Sequence, residues 1–501
     1  MSDSTSRTEE TRSYQNIFKA TTLFGGVQVY QILIQVIRSK FVAVLLGTTG
    51  VGLLGLYQST LQFIQSFTSL GLSQSAVRDV SEANGSGDEE KIGRTVTAFK
   101  KLVWFTGLFG MIVVMILSPL LSKVTFGNYD YTIPLIVLSC ILLIEQLANG
   151  QKVVLQGMRK LKDLARASAI GATVGLVISI PLYYAFGIKG IVPTLILNSL
   201  TGFVISWLFA RKIKVQNPAM SAKETWNQGK LMVKMGVAMS ISGIVSMGIS
   251  YVIRAFIMRN GGTEAVGLFQ AGFAIINTYV GMVFTAIGTD FYPRLAAINQ
   301  DNAECRKVIS QQGEIASQIL APLLCACILL MPFILRLLYS DKFLDAGPYV
   351  LWCCPGMMLR LASWLIAYQF VAKAESRLFI ITEVIGGSVY LTLSLLGYHW
   401  GGLTGLGIAF TVDYLIYFLF VYIIAAKRYG FSFSKAFSRS YTLQFIIVAA
   451  TLVCILLLPS QVKYWICATF LLASCAYALF MLERKMGIIS QLFQSLTNKN
   501  K

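Results

Sequence analysis

Charge is scarce in this sequence. Only 13% of its 501 residues are Asp, Glu, Lys or Arg, while 55% are hydrophobic. A soluble domain carries about 25% charged residues, so this chain has too little polar surface to live in water. A soluble fold is excluded, and an all-α polytopic membrane protein is expected. Histidine is almost missing, with His399 alone at a loop end. Paired carboxylates and metal-ligand spacings are missing as well, and the longest loops, of roughly 20–25 residues, leave no room for a catalytic domain. No enzyme, metal or cofactor is expected. The nine cysteines lie largely in or beside apolar runs, and the pair Cys353–Cys354 reads as membrane packing. Residues 1–16 are polar and the apolar run that follows is full-length, so no cleavable signal peptide is expected.

What is present is a series of apolar runs. Fourteen follow one another from 17–42 to 464–482, each near the ~20 residues that cross a bilayer as a helix. The net charge of +19 does not point to nucleic acid, because the basic residues fall between these runs. If the N-terminal tail, the loops after even-numbered runs and the C-terminal tail share one side, that side holds 31 of the 42 lysines and arginines. The positive-inside rule then predicts both termini in the cytoplasm.

The chain repeats itself. VIR at 36–38 returns at 252–254, GLYQ at 55–58 returns as GLFQ at 267–270, Arg78 and Lys91 match Arg294 and Lys307, and GIKG at 187–190 matches GLTG at 402–405. The pattern predicts a six-helix lobe over 1–211, a cytoplasmic linker over 212–230, a second six-helix lobe over 231–428, and two added helices with a basic tail over 429–501. Parallel repeats of this kind are a transporter architecture.

Polar stripes run along the apolar helices. Gln28, Gln31, Gln35 and Arg38 recur at spacings of three and four, hence on one helix face. Gln58, Gln62 and Gln65 do the same in the second run, and Gln270 and Asn277 mark its counterpart in the second half. In the seventh run Ser242, Ser246, Ser250 and Arg254 follow at spacings of four. Interhelical hydrogen bonds would account for the serines. Long amides pack poorly, and they favour a hydrated cavity lined by the first, second, seventh and eighth helices. Intramembrane charges point the same way. Arg38, Arg254 and Arg360 suit an anionic ligand, because guanidinium matches phosphate geometry and keeps its charge; an ion pair of Arg360 with Glu383 or Asp413 is the alternative. Glu145, with Asn149 and Lys152 on its face, and Asp413 are the candidates for ion coupling.

Several segments carry a family resemblance. KFVAVLLGTTGVGLLGLYQ at 40–58, RNGGTEAVGLFQ at 259–270, LLYSDKF at 337–343 and AKAESRLFIITEV at 372–384 resemble those of Wzx-type flippases, members of the multidrug/oligosaccharidyl-lipid/polysaccharide exporter superfamily. Within it the chain is similar to O-antigen and enterobacterial-common-antigen translocases, across the first twelve runs in order. The resemblance implies two lobes that alternate between inward-facing and outward-facing states around a cationic cavity. It implies transfer of an undecaprenyl-diphosphate-linked oligosaccharide from the cytoplasmic to the periplasmic leaflet of the bacterial inner membrane, with a proton or sodium gradient as the driving force in some members. Carried over, Arg38, Arg254 and Arg360 become cavity cations. A monomer is expected, and a polysaccharide polymerase is the partner to consider. A multidrug or cation antiporter and a lipid II flippase of the same superfamily are the competing readings.

Overall fold

The computed structural model describes residues 2–213, 215, 216 and 218–486; for residues 2–26, Gln28, Ala238, Thr289, Asp290, Pro293 and Met486 the backbone alone is described. Helices account for all regular structure among the described residues. This follows from the apolar runs, because in hydrocarbon a backbone must satisfy its own hydrogen bonds.

The chain divides into two compact units, Met1–Val266 and Gly267–Lys501. The first contains α1 (Ser2–Thr68), α2 (Leu72–Ser86), α3 (Glu89–Phe126), α4 (Thr132–Leu138), α5 (Cys140–Gly157), α6 (Leu161–Phe186), α7 (Ile191–Ala210) and most of α8 (Ala222–Ala274). The second contains a π-helical turn Ile275–Val280, then α9 (Met282–Ala297), α10 (Asn302–Leu329), α11 (Met331–Leu338), α12 (Gly347–Ala372), α13 (Ser376–Tyr429), α14 (Lys435–Leu457) and α15 (Ser460–Met486).

Among the described residues, ten stretches are long and apolar enough to cross a membrane. Four of them, Val29–Thr68, Leu161–Ala210, Met239–Gly288 and Ser376–Tyr429, have 40 to 54 residues. A continuous 40-residue helix would reach about 60 Å, twice the ~30 Å of hydrocarbon. Each is broken at a glycine with positive φ: Gly47, Gly187, Gly262 and Gly402. The four breaks turn ten stretches into fourteen passes, and the protein is a multi-pass membrane protein of about fourteen helices.

The breaks also show the repeat in the backbone. Gly47 (φ 65°, ψ −169°) and Gly262 (φ 75°, ψ −177°) lie 215 positions apart. So do Gly187 (φ 54°, ψ −133°) and Gly402 (φ 56°, ψ −139°). The conformation of the first pair is open essentially to glycine alone. At the same spacing Arg159 and Ala374 both adopt φ 56°. The amides that follow, of Lys160 and Glu375, return to the carbonyls of Leu155 and Phe370 at 2.8 and 3.0 Å. Beside the second turn Arg428 holds Glu375 at 2.7 Å. Partial burial would raise this carboxyl, but hydrogen bonds from Arg428 and Tyr429 and the charges of Arg428 and Lys373 outweigh it and hold Glu375 below the usual carboxylate range.

The first unit has a dry base. Leu72, Ala76 and Val80 of α2 pack with Val96, Phe99 and Val103 of α3, Val153 and Val154 of α5, and Met232 of α8. In the second unit α12 is the central helix, with most of its residues buried. The two C-terminal helices join that unit through polar contacts. Gln444 of α14 donates to Gln318 of α10 at 2.8 Å, and Ser474 of α15 donates to Gln444 at 2.7 Å. All three are buried.

Candidate functional site

A cavity of about 500 Å³ opens inside the first unit. Gln62, Gln65 and Ser66 from the second pass of α1, with Ser69 just after it, form one wall, and Gln146 and Asn149 from α5 form another. Met239, Ser240, Gly243, Ile244 and Met247 from α8 face them. Gly71, Ser73 and Gln74 make the rim. The rim glycine is required by proximity: a Cβ on Gly71 would fall 2.1 Å from the carbonyl oxygen of Gly236 on α8. Gln146 is fixed by donating to Thr106 at 3.0 Å. Behind Gln65 stands Glu145, which accepts from Ser199 at 3.2 Å and has Gln65 and Lys152 as its other hydrogen-bonding and charged neighbours.

Beyond the inner wall the same helices close on one another. Phe63 stacks on Tyr251 with ring centroids 4.9 Å apart. The Tyr251 and Thr125 hydroxyls share a 2.7 Å hydrogen bond. Arg259 donates to the carbonyls of Val124 and Lys123 at 2.9 and 2.5 Å, in the last turn of α3, where the Lys123 carbonyl also accepts from the Gly127 N–H at 3.1 Å. Thr48, next to the Gly47 break, donates to Glu264 at 3.2 Å. The cavity therefore has a rim at the level of residues 69–74 and a seal at the opposite end of its helices.

A second, narrower cavity of about 230 Å³ lies among α1, α5, α6 and α7. Gln31, Arg38, Lys152, Ser168, Asn198 and Ser206 supply its polar groups, and Gly171, Ala172, Gly175 and Gly202 make the room. Gln31 and Arg38 stand seven residues apart, so this slot runs for roughly 10 Å along α1. Tyr30 ties α1 to α6 through Thr173 at 2.6 Å.

In the second unit Arg360 of α12 donates to Asn277 Oδ1 at 2.9 Å. Its guanidinium lies over the rings of Phe284 and Tyr414, 5.3 and 5.6 Å from their centroids. Asn277 sits in the π-helical turn, whose extra residue re-aims side chains along the helix face. Asp413, next to Tyr414, is 4% exposed, and its Oδ1 has no hydrogen-bond partner among the described residues.

The candidate residues thus fall into separate places. Gln62 and Gln65 line the larger cavity, Gln31 and Arg38 the slot, and Asn277 and Arg360 meet in the second unit. Gln35 is exposed and Gln58 and Gln270 are half-buried, none of them among the lining residues of either cavity. Arg254 is 5% exposed and donates to the Ser250 carbonyl at 2.9 Å. Gln28 lies in α1, with its side chain outside the described residues. Sequence reasoning missed Gln74, Gln146, Ser240 and the Thr125–Tyr251–Arg259 seal. Gln146 follows Glu145 directly, and its position in an apolar run was the available signal.

This is the architecture of a helical membrane transporter, with a polar cavity inside a bundle of broken helices. Residues 41–348, more than half of the chain, match the family described as polysaccharide biosynthesis protein, and the chain belongs to that family. It is similar to the lipid III flippase of Escherichia coli (strain K12), 21% identical over 410 residues that cover 80% of this chain and 96% of that protein. Among solved structures it resembles an inward-facing multidrug resistance MATE family transporter of the MOP superfamily, with a TM-score of 0.69 at 15% identity, covering 82% of this chain and 96% of that one. It also resembles the lipid II flippase MurJ in an inward closed conformation, with a TM-score of 0.65 at 14% identity, covering 94% of this chain and 99% of that one. These two likenesses concern the fold.

Proposed function

We propose that this protein is a flippase, not an enzyme, and moves a polyprenyl-diphosphate-linked oligosaccharide from the cytoplasmic to the periplasmic leaflet of a bacterial inner membrane by alternating access. The observation that carries this reading is the cavity of amides and hydroxyls, with its rim at the level of Gln74 and its seal at Tyr251. A polar glycan crossing in such a cavity avoids hydrocarbon, where each unpaired hydroxyl costs several kcal/mol, roughly 4–8 by alkane transfer. The family and the lipid III flippase relative support the substrate class.

In this reading both termini are cytoplasmic, as the positive-inside rule expects from the distribution of basic residues, and the sealed end of the cavity is periplasmic. Arg38, with Arg254 and Arg360, answers the diphosphate charge. Glu145 and Asp413 are the groups for a proton or sodium gradient to act on. The lobes 1–211 and 231–428 move against each other around the linker 212–230, and 429–501 stays with the second. The protein works as a monomer, with a polysaccharide polymerase acting on the product.

Depletion tests this. Extracted polyprenyl-linked glycans should accumulate on the cytoplasmic side, shielded from a membrane-impermeant glycosidase added to spheroplasts. Unchanged glycan lipids after depletion would overturn the reading.

A further inference from the structure

The chemistry of the larger cavity is more specific than the family's cationic expectation. None of its fourteen lining residues is ionisable. Five are carboxamides (Gln62, Gln65, Gln74, Gln146 and Asn149) and four are serines. The neighbouring charges are kept out of its lining. Glu145 is engaged by Ser199 and by the charge of Lys152, with Gln65 between it and the cavity. Lys152 and Arg38 line the separate slot.

Resting on the flippase reading, we infer that this cavity selects an uncharged saccharide, one bearing hydroxyl and acetamido groups rather than carboxylates. A carboxamide donates and accepts at once, as do a sugar hydroxyl and an acetamido group. Gln62 and Gln74 are exposed and Asn149 is half-buried, so their amides stand at the cavity surface. Met239, Ile244 and Met247 give the opposite wall an apolar face for the C–H side of a pyranose ring. An acidic sugar would bring a charge into a cavity whose described lining residues include no cation to pair with it, and such a charge costs far more than an unpaired hydroxyl. The volume of about 500 Å³ falls among small-ligand pockets of ~300–1,000 Å³ and suits a short oligosaccharide.

The test uses the full-length protein, purified in detergent, with two probes of matched length: chitotriose, which is neutral and acetamido-bearing, and trigalacturonate, which carries three carboxylates. Calorimetry should show saturable chitotriose binding, weakened by about tenfold in Gln62→Ala/Gln74→Ala and in Asn149→Ala. The first variant replaces two exposed side chains and leaves the fold intact; unchanged thermal unfolding checks this. Trigalacturonate should bind at least about tenfold more weakly. Equal or tighter trigalacturonate binding, or chitotriose binding that is absent or indifferent to the variants, overturns the inference. The two readings fail separately. If glycan lipid accumulates on depletion and its sugars are acidic, the flippase reading survives and the neutral-sugar inference falls. If no glycan lipid accumulates, the flippase reading falls, while chitotriose binding still decides what the cavity takes.

Discussion

Phe63 and Tyr251 lie face to face, their rings 4.9 Å apart and within 5° of parallel, and the Tyr251 hydroxyl meets Thr125 at 2.7 Å. This contact joins three helices at the sealed end of the cavity, and Arg259 locks the same end by capping α3. Tyr251→Phe removes one hydrogen bond, worth about 0.5–1.5 kcal/mol, and Arg259→Ala removes the guanidinium that joins α8 to the last turn of α3. A cysteine at Ser240, in a chain with its native cysteines replaced, should become several-fold more reactive toward an impermeant maleimide added from outside. Labelling that stays at the parent level in both variants contradicts the seal.

The Arg360–Asn277 pair makes a second prediction. The guanidinium is held by one carboxamide oxygen and two rings. Arg360→Lys keeps the charge but loses the planar stacking, so transport should fall although the charge is retained. A double-mutant cycle with Asn277→Ala should give a coupling of about 1.5–3 kcal/mol in thermal unfolding, the range of a hydrogen bond to a charged group. Additive effects would mean that the two side chains act independently.

The chain breaks give a third. Gly47 and Gly262 share a backbone conformation that side chains rarely adopt, and a Cβ at either would meet nothing within 4 Å. Gly47→Ala and Gly262→Ala should each destabilise by about 1–3 kcal/mol, from backbone strain alone. A fall in melting temperature that is equal for the two positions supports the repeat. No change in either would remove the strained conformation from the account.

The C-terminal helices give a fourth. Glu314 of α10 is 5% exposed, accepts from Ser434 at the start of α14, and pairs with Lys485 at the end of α15. Lys485→Ala leaves this carboxylate short of its cation and should cost about 3 kcal/mol, reduced to the extent that water reaches the site. Adding Glu314→Gln should recover most of the loss, because the neutral amide needs no cation. Failure of that rescue would show that Lys485 acts by packing.

Much of this architecture was legible in the sequence, and the reasons differ by feature. The apolar runs predicted fourteen passes because hydrocarbon thickness dictates their length. The repeat was visible in VIR and GIKG, and the backbone repeats at Gly47/Gly262 and Arg159/Ala374 keep the spacing of GIKG, one residue from that of VIR. The polar stripes were legible as faces but not as one site. Arg38 and Gln62 lie on opposite sides of the Gly47 break, so each stripe turns to its own cavity. Tyr251, Thr125 and Arg259 carried no signal, because they meet across helices distant in sequence. Asn277 was legible as a polar residue, but its aim at Arg360 depends on a π-helical turn that periodicity does not predict.

Translocation itself is measured by reconstitution. The purified protein would be placed in liposomes carrying a polyprenyl-diphosphate-linked neutral oligosaccharide in both leaflets, and an impermeant glycosidase would be added outside. Protein-containing vesicles should lose nearly all of the glycan, while protein-free vesicles retain the inner-leaflet half. Retention of that half by folded, correctly inserted protein, under an imposed proton or sodium gradient as well as without one, would contradict it.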